Sequence, residues 1–378
     1  MPSDQQDNQE PLGALLGFLE RDPTNKTLRL EAGELALAAG RPDICVKLVS
    51  ESGNQDEAAF LELKARASMA AGDFEAAIRI FLSLISEFPK NFVLAANLSA
   101  AYFGAGKYED ALKQLDLKRP QETAHLAMIA IRASHILGDF EQAKQQCDLN
   151  TQAFQNDTQV SSAASLVYLD AGEIENASKY AQLSSETSDA KSVIGYISLQ
   201  DKDLDIAKTS FEQAIALQSK NPRGLIGLGL IYLLARDYYQ STSLFERALE
   251  IWPDNSGLAL TTGWAHLLND NLKMAKSFFE RAAEADRNFG EAQGAYALSL
   301  LLEGEATAAE EHHKRAIRLD RQNFASMLFQ IIKVSSTSPE QADAILKRAV
   351  QTPIGSNEET VLEAVKGFGL MPPEKRSK

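Results

Sequence analysis

Apolar positions in this chain fall into two helical registers that alternate, and the alternation repeats at a fixed interval. Four segments starting at Ser188, Pro222, Ser256 and Gly290 follow one another without a gap, each 34 residues long. Numbering places from each start, apolar residues recur in the first half at helical spacing, as at Leu225, Leu228 and Tyr232. The second half places a small residue at the twentieth position (Ala207, Ser241, Ala275, Ala309) and a bulky one or histidine at the twenty-fourth (Phe211, Phe245, Phe279, His313). Alanine follows at the twenty-seventh (Ala214, Ala248, Ala282, Ala316). The eighth place is small throughout: Gly195, Gly229, Gly263 and Ala297. Each segment therefore predicts a pair of helices, A and B, with one apolar stripe apiece.

The register extends in both directions. Earlier units begin near Lys26, Ala58, Phe92, Ala124 and Thr158, and a decayed one begins at Phe324, which makes ten. Glycine recurs at the turn between the two helices, in Gly40-Arg41-Pro42, Gly72-Asp73-Phe74, Gly106-Lys107-Tyr108, Gly138-Asp139-Phe140 and Gly172-Glu173-Ile174. It permits the backbone geometry that closes a helix. No single pair can bury its stripe alone, so stability must come from neighbouring pairs and the ends need caps. Residues 11–25, with a helix over Pro11 to Arg21, read as the N-terminal cap. Residues 354–378 read as a C-terminal capping helix, over Glu358 to Gly367, followed by a disordered tail. Residues 1–10 read as disordered too. Between the caps, residues 26–187 hold about five divergent units and residues 188–353 about five regular ones.

This pattern resembles the tetratricopeptide repeat family over residues 26 to about 353. The resemblance implies an all-α superhelical solenoid of about ten helix-turn-helix repeats, whose A helices line a concave groove. It also implies binding of other proteins rather than catalysis. Places two, five, nine and twelve of each A helix, not spent on packing, then face the groove. In the C-terminal half these are Tyr196 and Leu199; Ile226, Leu230 and Leu233; Leu260, Trp264 and Leu267; Leu298 and Leu301. So many large apolar groups on a face that is ordinarily polar leave two readings open. They form a trough for an apolar or amphipathic partner helix, or they are ordinary core, covered by tight curvature or by the C-terminal helix of the same chain. A second, more polar stripe in the N-terminal half includes Arg66, Phe103, Met128, Arg132 and His135. Its arginines either capture a partner carboxylate or are solvated or paired within the chain. Family members that clamp the acidic C-terminus of chaperones use Lys and Asn at set places. Asn97 matches one of them, whereas Glu62, Arg66, His125 and Ile129 depart, so an Hsp70 or Hsp90 co-chaperone is not expected.

Charge and candidate chemistry narrow the picture. A formal net charge of -14 argues against nucleic acid or an anionic membrane as partner, since both demand clustered Lys and Arg. The apolar run Gly224 to Ala235 is far shorter than the roughly 20 residues that span a bilayer, so no direct membrane insertion is expected. The N-terminal MPSDQQDNQEP lacks the basic start and apolar core of a secretory signal, which predicts a cytoplasmic protein. Cys45 and Cys147 occupy packing places and read as buried thiols. His125 and His135 stand about 15 Å apart on one helix at 1.5 Å per residue, too far for one metal. His312 and His313 point about 100° apart on theirs, His313 inward and His312 to solvent. Gly224, Gly227 and Gly229 follow no strand and read as helix contacts, not as a phosphate loop. No serine, histidine and acid stand in a nucleophile context. The reading is therefore a non-enzyme without cofactor or metal: a scaffold or adaptor, of the kind that assists assembly of a bacterial envelope, pilus or secretion complex. The alternatives are a dedicated chaperone for an apolar client segment and a non-catalytic regulatory subunit. Homo-oligomers through exposed end units stay open.

Overall fold

The computed structural model describes residues 9–50, 57–335, 337–351, 353–354 and 359–360. The chain divides into two compact units, Met1–Ser184 and Ser185–Lys378. Unit 1 opens with α1 (Gln9–Arg21) and continues as pairs: α2 (Lys26–Ala38) with α3 (Pro42–Ser50), α4 (Ala58–Ala70) with α5 (Phe74–Glu87), α6 (Phe92–Gly104) with the short α7 (Tyr108–Lys113), α8 (Ala124–Ile136) with α9 (Phe140–Ala153), and α10 (Thr158–Asp170) with α11 (Ile174–Leu183). Unit 2 holds α12 (Ser188–Gln200) with α13 (Leu204–Leu217), α14 (Pro222–Leu234) with α15 (Tyr238–Ile251), α16 (Ser256–Leu268) with α17 (Leu272–Ala285), α18 (Gly290–Leu302) with α19 (Ala306–Leu319), and α20 (Phe324–Ser335) with α21 (Pro339–Val350). Every A helix begins at the residue where the apolar register starts.

Local chemistry sets these boundaries. In unit 2 an A helix of 13 residues, a short turn, a B helix of 14 and a short connection recur, which fixes the repeat length. Two of the shorter steps between A helices in unit 1 follow from truncated B helices: α7 has 6 residues and α11 has 10. Asn and Asp side chains cap the starts. Asn221 accepts from the Gly224 amide, Asn255 from Leu258, Asp203 from Ile206 and Asp237 from Gln240, each satisfying an amide without an intrahelical partner. At the A-to-B turn the backbone is left-handed in unit after unit. Gly72 has φ +83° and Gly304 +86°, but Lys202, Arg236 and Asp270 hold the same turn at φ 62°, 62° and 56°. The turn geometry therefore persists where glycine is absent, at a conformational cost to those side chains.

Packing inside a repeat pairs the eighth place with the twenty-fourth. A Cβ built on Gly195, Gly229 or Gly263 would stand 2.5, 2.6 or 2.4 Å from the ring of Phe211, Phe245 or Phe279, all three fully buried. Phe211 also faces Gly227 of the following repeat, so one ring joins two repeats. Each such side chain contributes about 1.5–3 kcal/mol through burial. The buried core of unit 2 runs from Ala207 to Ala325 along these contacts.

In unit 1 the missing length of α7 is replaced by an irregular segment, 114–123, fastened by polar side chains of α9. Gln146 Nε2 donates to the Leu117 carbonyl at 2.8 Å, and Asn150 Oδ1 accepts from the Gln121 amide at 2.9 Å. Both side chains are buried, and the register alone gives no hint of this ladder.

The two ends depart from expectation. Helix α1 begins at Gln9, with Pro11 in its first turn, where a missing N–H costs no intrahelical bond. At the other end, Glu359 and Thr360 form a two-residue antiparallel pairing with Pro353 and Ile354 instead of starting the expected capping helix. Proline cannot extend a preceding helix, and β-branched Thr360 suits an extended backbone. The remainder of the expected Glu358–Gly367 helix, and the tails expected to be disordered at residues 1–8 and 368–378, lie outside the described residues.

Candidate partner-binding face

The ten apolar residues expected along the A helices of unit 2 divide into two groups. Leu260 and Leu298 are core, 7% and 2% exposed, so the expectation that they line an open groove does not hold. The other eight are half-buried. On α14 the division is clearest: Leu225, Leu228 and Ile231 are buried, while Ile226, Leu230 and Leu233 keep part of their surface and pack against the edge of the same core. Tyr196 rests edge-on against Phe211 at 5.0 Å and donates its hydroxyl proton to the Arg223 carbonyl at 3.1 Å. Its ring is thus held in place, with Leu199 and Leu267 also packed against the core.

At the C-terminal end α20 crosses close over α18. A Cβ on Gly294 would stand 2.5 Å from Asn323 Oδ1, and one on Gly290 would stand 2.8 Å from the Asp320 Cβ. Glu291 accepts from the Ala325 amide at 3.0 Å and so caps the first turn of α20; burial pushes its carboxyl above the usual range, and these amide bonds pull it back. Phe324 reaches Trp264, with ring centroids 6.4 Å apart, while Phe279 contacts the indole at 5.2 Å. Trp264 is consequently a shared packing residue, held between two rings. Leu301 packs beside Ala297, Leu300 and Phe329. The reading that ordinary core explains part of the stripe applies here, and the covering element is α20.

The more polar stripe of unit 1 is occupied from within. Arg66 forms a two-pronged ion pair with Glu34, at 2.6 and 2.9 Å, and His135 Nε2 meets Asp170 Oδ2 at 2.8 Å. Both contacts link successive A helices. Intramolecular pairing, one of the two readings for Arg66, is the one found. Phe103 packs edge-on against Tyr108 at 5.5 Å, Met128 and Phe103 flank the small core around Leu126 and Ile129, and Arg132 is half-buried. The sequence did not point to a cavity of about 490 Å³ between α9 and α11, whose lining includes Asp148, Gln152, Asn156, Lys179 and Tyr180. Its Tyr180 ring stacks on Tyr168 and its hydroxyl donates to Thr151 Oγ1 at 3.0 Å.

Both cysteines and His312 sit in packing roles. Cys45 and Cys147 are buried free thiols; burial pushes Cys45 up to about 11 and Cys147 higher still, so neither is a thiolate near neutral pH. His312 is half-buried, with Nδ1 3.0 Å from Gln293 Oε1 and its ring edge-on to Tyr296, rather than facing solvent. Among the described residues no group of three or more His, Cys, Asp or Glu is placed to hold a metal ion, and no helix is long and apolar enough to cross a membrane.

Residues 68–134 and residues 194–256 each match a tetratricopeptide repeat family. Among solved structures the chain is similar to the APC/C hetero-tetramer Cut9–Hcn1, with a TM-score of 0.57 and 15% identity over 85% of this chain; it spans 63% of that chain's length. Partial likenesses include pilF of Pseudomonas aeruginosa, at TM-score 0.42 and 20% identity, over 55% of this chain and 96% of that one. Another is MamA of AMB-1, at TM-score 0.37 and 21% identity, over 42% of this chain and 96% of that one. No curated protein sequence matches. Consecutive helical pairs, glycine set against phenylalanine within the repeat, and these two matched segments together show that residues 68–134 and 194–256 are tetratricopeptide repeats within a fold of that kind.

Proposed function

We propose that the chain is an adaptor that receives a partner helix or peptide on the A-helix face of unit 2, centred on Ile226, Leu230 and Leu233 of α14 and flanked by Tyr196, Leu199 and Leu267. The observation that carries this reading is the half-burial of those three α14 side chains beside a buried row on the same helix. Packing has fixed them without covering them, so a partner gains apolar burial and loses little side-chain entropy. Each newly covered Leu or Ile contributes on the order of 1.5–3 kcal/mol before association costs. Three or four such anchors suffice for roughly micromolar binding. The binding mode is helix-in-groove. Assembly of a bacterial envelope, pilus or secretion complex is the finer role within this proposal, and it rests on resemblance to repeat proteins of that kind.

A photo-crosslinking residue in place of Leu230 tests the site. The expected outcome is a defined partner adduct from native cells, with none from the same residue in place of Tyr239, which is 73% exposed on the B helix α15. Leu230→Asp together with Leu233→Asp is expected to abolish that partner's recovery while helicity is retained. Equal crosslinking from both positions, or undiminished recovery with the double variant, overturns the proposal.

A further inference from the structure

One place in the unit 2 register breaks the chemistry of the others. The twenty-fourth place is Phe211, Phe245 and Phe279 in three successive repeats and His313 in the fourth, and all four side chains are buried. His313, 6% exposed, lies on α19 with its ring stacked on Phe329 of α20, centroids 4.1 Å apart and planes 13° from parallel. Its Nδ1 is buried without a hydrogen-bond partner. With the proton on Nε2, that nitrogen is a bare lone pair, and leaving it unpaired is tolerable. A second proton would create a buried cation with an N–H that nothing accepts, which is far more costly.

The charged surroundings do little to compensate. On its own helix, Glu310 is the acid that favours a charged imidazole, but Glu310 already pairs with Lys333 of α20, whose charge opposes protonation. Helix α18 presents Ala297 and Leu300 to this cluster, and its single charged residue, Glu291, is engaged at the first turn of α20. Burial lowers the His313 pKa most, Glu310 offsets part of this, and Lys333 adds to the lowering. The other buried imidazole in unit 2, His266, shares an unpartnered Nδ1 but sets its Nε2 2.8 Å from Glu246 Oε1, a carboxylate contact that His313 lacks.

We propose that His313 is an acid-sensitive latch on the terminal helical pair: neutral, it helps hold α20, with α21 paired to it, against α18 and α19, and protonated it releases them while α12–α17 stay paired. Release withdraws Phe324 from Trp264 and uncovers the glycine face of α18. The sign follows from linkage. A buried neutral imidazole with a lowered pKa contributes fully above its unfolded value of about 6.5, and that contribution is lost as pH falls from there toward the folded value. One proton changes the opening equilibrium by at most about tenfold per pH unit in that window.

Hydrogen exchange of the full chain, read by mass spectrometry between about pH 7.5 and 5, where imidazole titrates, is the test. After correction for intrinsic rates, protection of amides in Phe324–Val350 is expected to fall by up to about tenfold per pH unit, with α14–α16 unchanged. His313→Phe, the residue its three counterparts carry, is expected to remove that fall, although His312 still titrates beside it. His313→Leu gives the same comparison should the larger ring pack poorly. Constant protection of α20 and α21 in the native chain, or an equal fall in both variants, overturns the latch.

Discussion

Unit 2 solves the problem of joining helices A and B with one recurring pair, and unit 1 solves it differently almost every time. In unit 2, glycine at the eighth place accepts phenylalanine at the twenty-fourth three times over, and where the ring shrinks to His313 the partner grows to Ala297. The corresponding pairs in unit 1 are Gly33 with Val49, Ala65 with Phe81, Ser99 with Leu115, Ile131 with Cys147, and Ser165 with Ala181. Large and small exchange places at Ile131 and Cys147, both fully buried. Where both partners are small, at Ser165 and Ala181, stacked Tyr168 and Tyr180 supply bulk nearby, at 5.5 Å. The comparison teaches that the repeat specifies a joint volume, because close packing penalises a void and an overlap alike. It also explains why the register is plain in one unit and divergent in the other.

The largest way to break the comparison is to empty the shared place. Phe245→Ala is expected to cost about 3–5 kcal/mol, and Cys147→Ala, with far less volume to lose, about 1 kcal/mol. Urea denaturation of the full chain measures both; equal losses would refute the joint-volume account. Overfilling comes next. Gly229→Ala places a Cβ 2.6 Å from the Phe245 ring and is expected to cost about 1–3 kcal/mol. Adding Phe245→His, which copies the Ala297 and His313 pairing, should cost less than the sum of the single changes. A double-mutant cycle with no coupling would show that the two places are independent.

Unit 1 has its own weak point in the polar fastening of 114–123. Asn150→Ala leaves the Gln121 amide without its acceptor and is expected to cost about 1–3 kcal/mol, with limited proteolysis cutting inside 114–123 before anywhere else in the unit. Unchanged cleavage would assign the segment's order to other contacts. The smallest effects belong to the A-to-B turn. Gly72→Ala, at φ +83°, is expected to destabilise by about 1 kcal/mol, and Asp270→Gly, at φ 56°, to stabilise by about 0.5–1 kcal/mol. Thermal midpoints moving in opposite directions support a common left-handed turn; shifts of the same sign contradict it.

Much of the candidate face was legible and its accessibility was not. The apolar register located the stripe from Tyr196 to Leu301, and most of those side chains do retain surface. It left open whether the stripe is covered and whether Arg66 is paired within the chain, and it could not name the burial of Leu260 and Leu298, the approach of Phe324 to Trp264, or Glu34 as the partner of Arg66. Each of these depends on a residue one or two repeats away. Helical spacing states which side chains share a face, but not which neighbour approaches it. Gly290 and Gly294 carried a hint, since two glycines on one helical face permit close approach, yet only the seated α20 says what approaches.

The sequence by itself determined the number of helical pairs, where each A helix starts, the small and bulky residues that pack within each regular repeat, and the packed character of both cysteines. Those properties follow from periodicity and side-chain volume, which are local to one repeat. Tertiary structure alone decided how much of the apolar stripe stays open, how a six-residue B helix is compensated by Gln146 and Asn150, and what surrounds the imidazole of His313. Burial and hydrogen-bond satisfaction are properties of neighbours in space, and in a stack of repeats those neighbours are supplied by the next pair of helices.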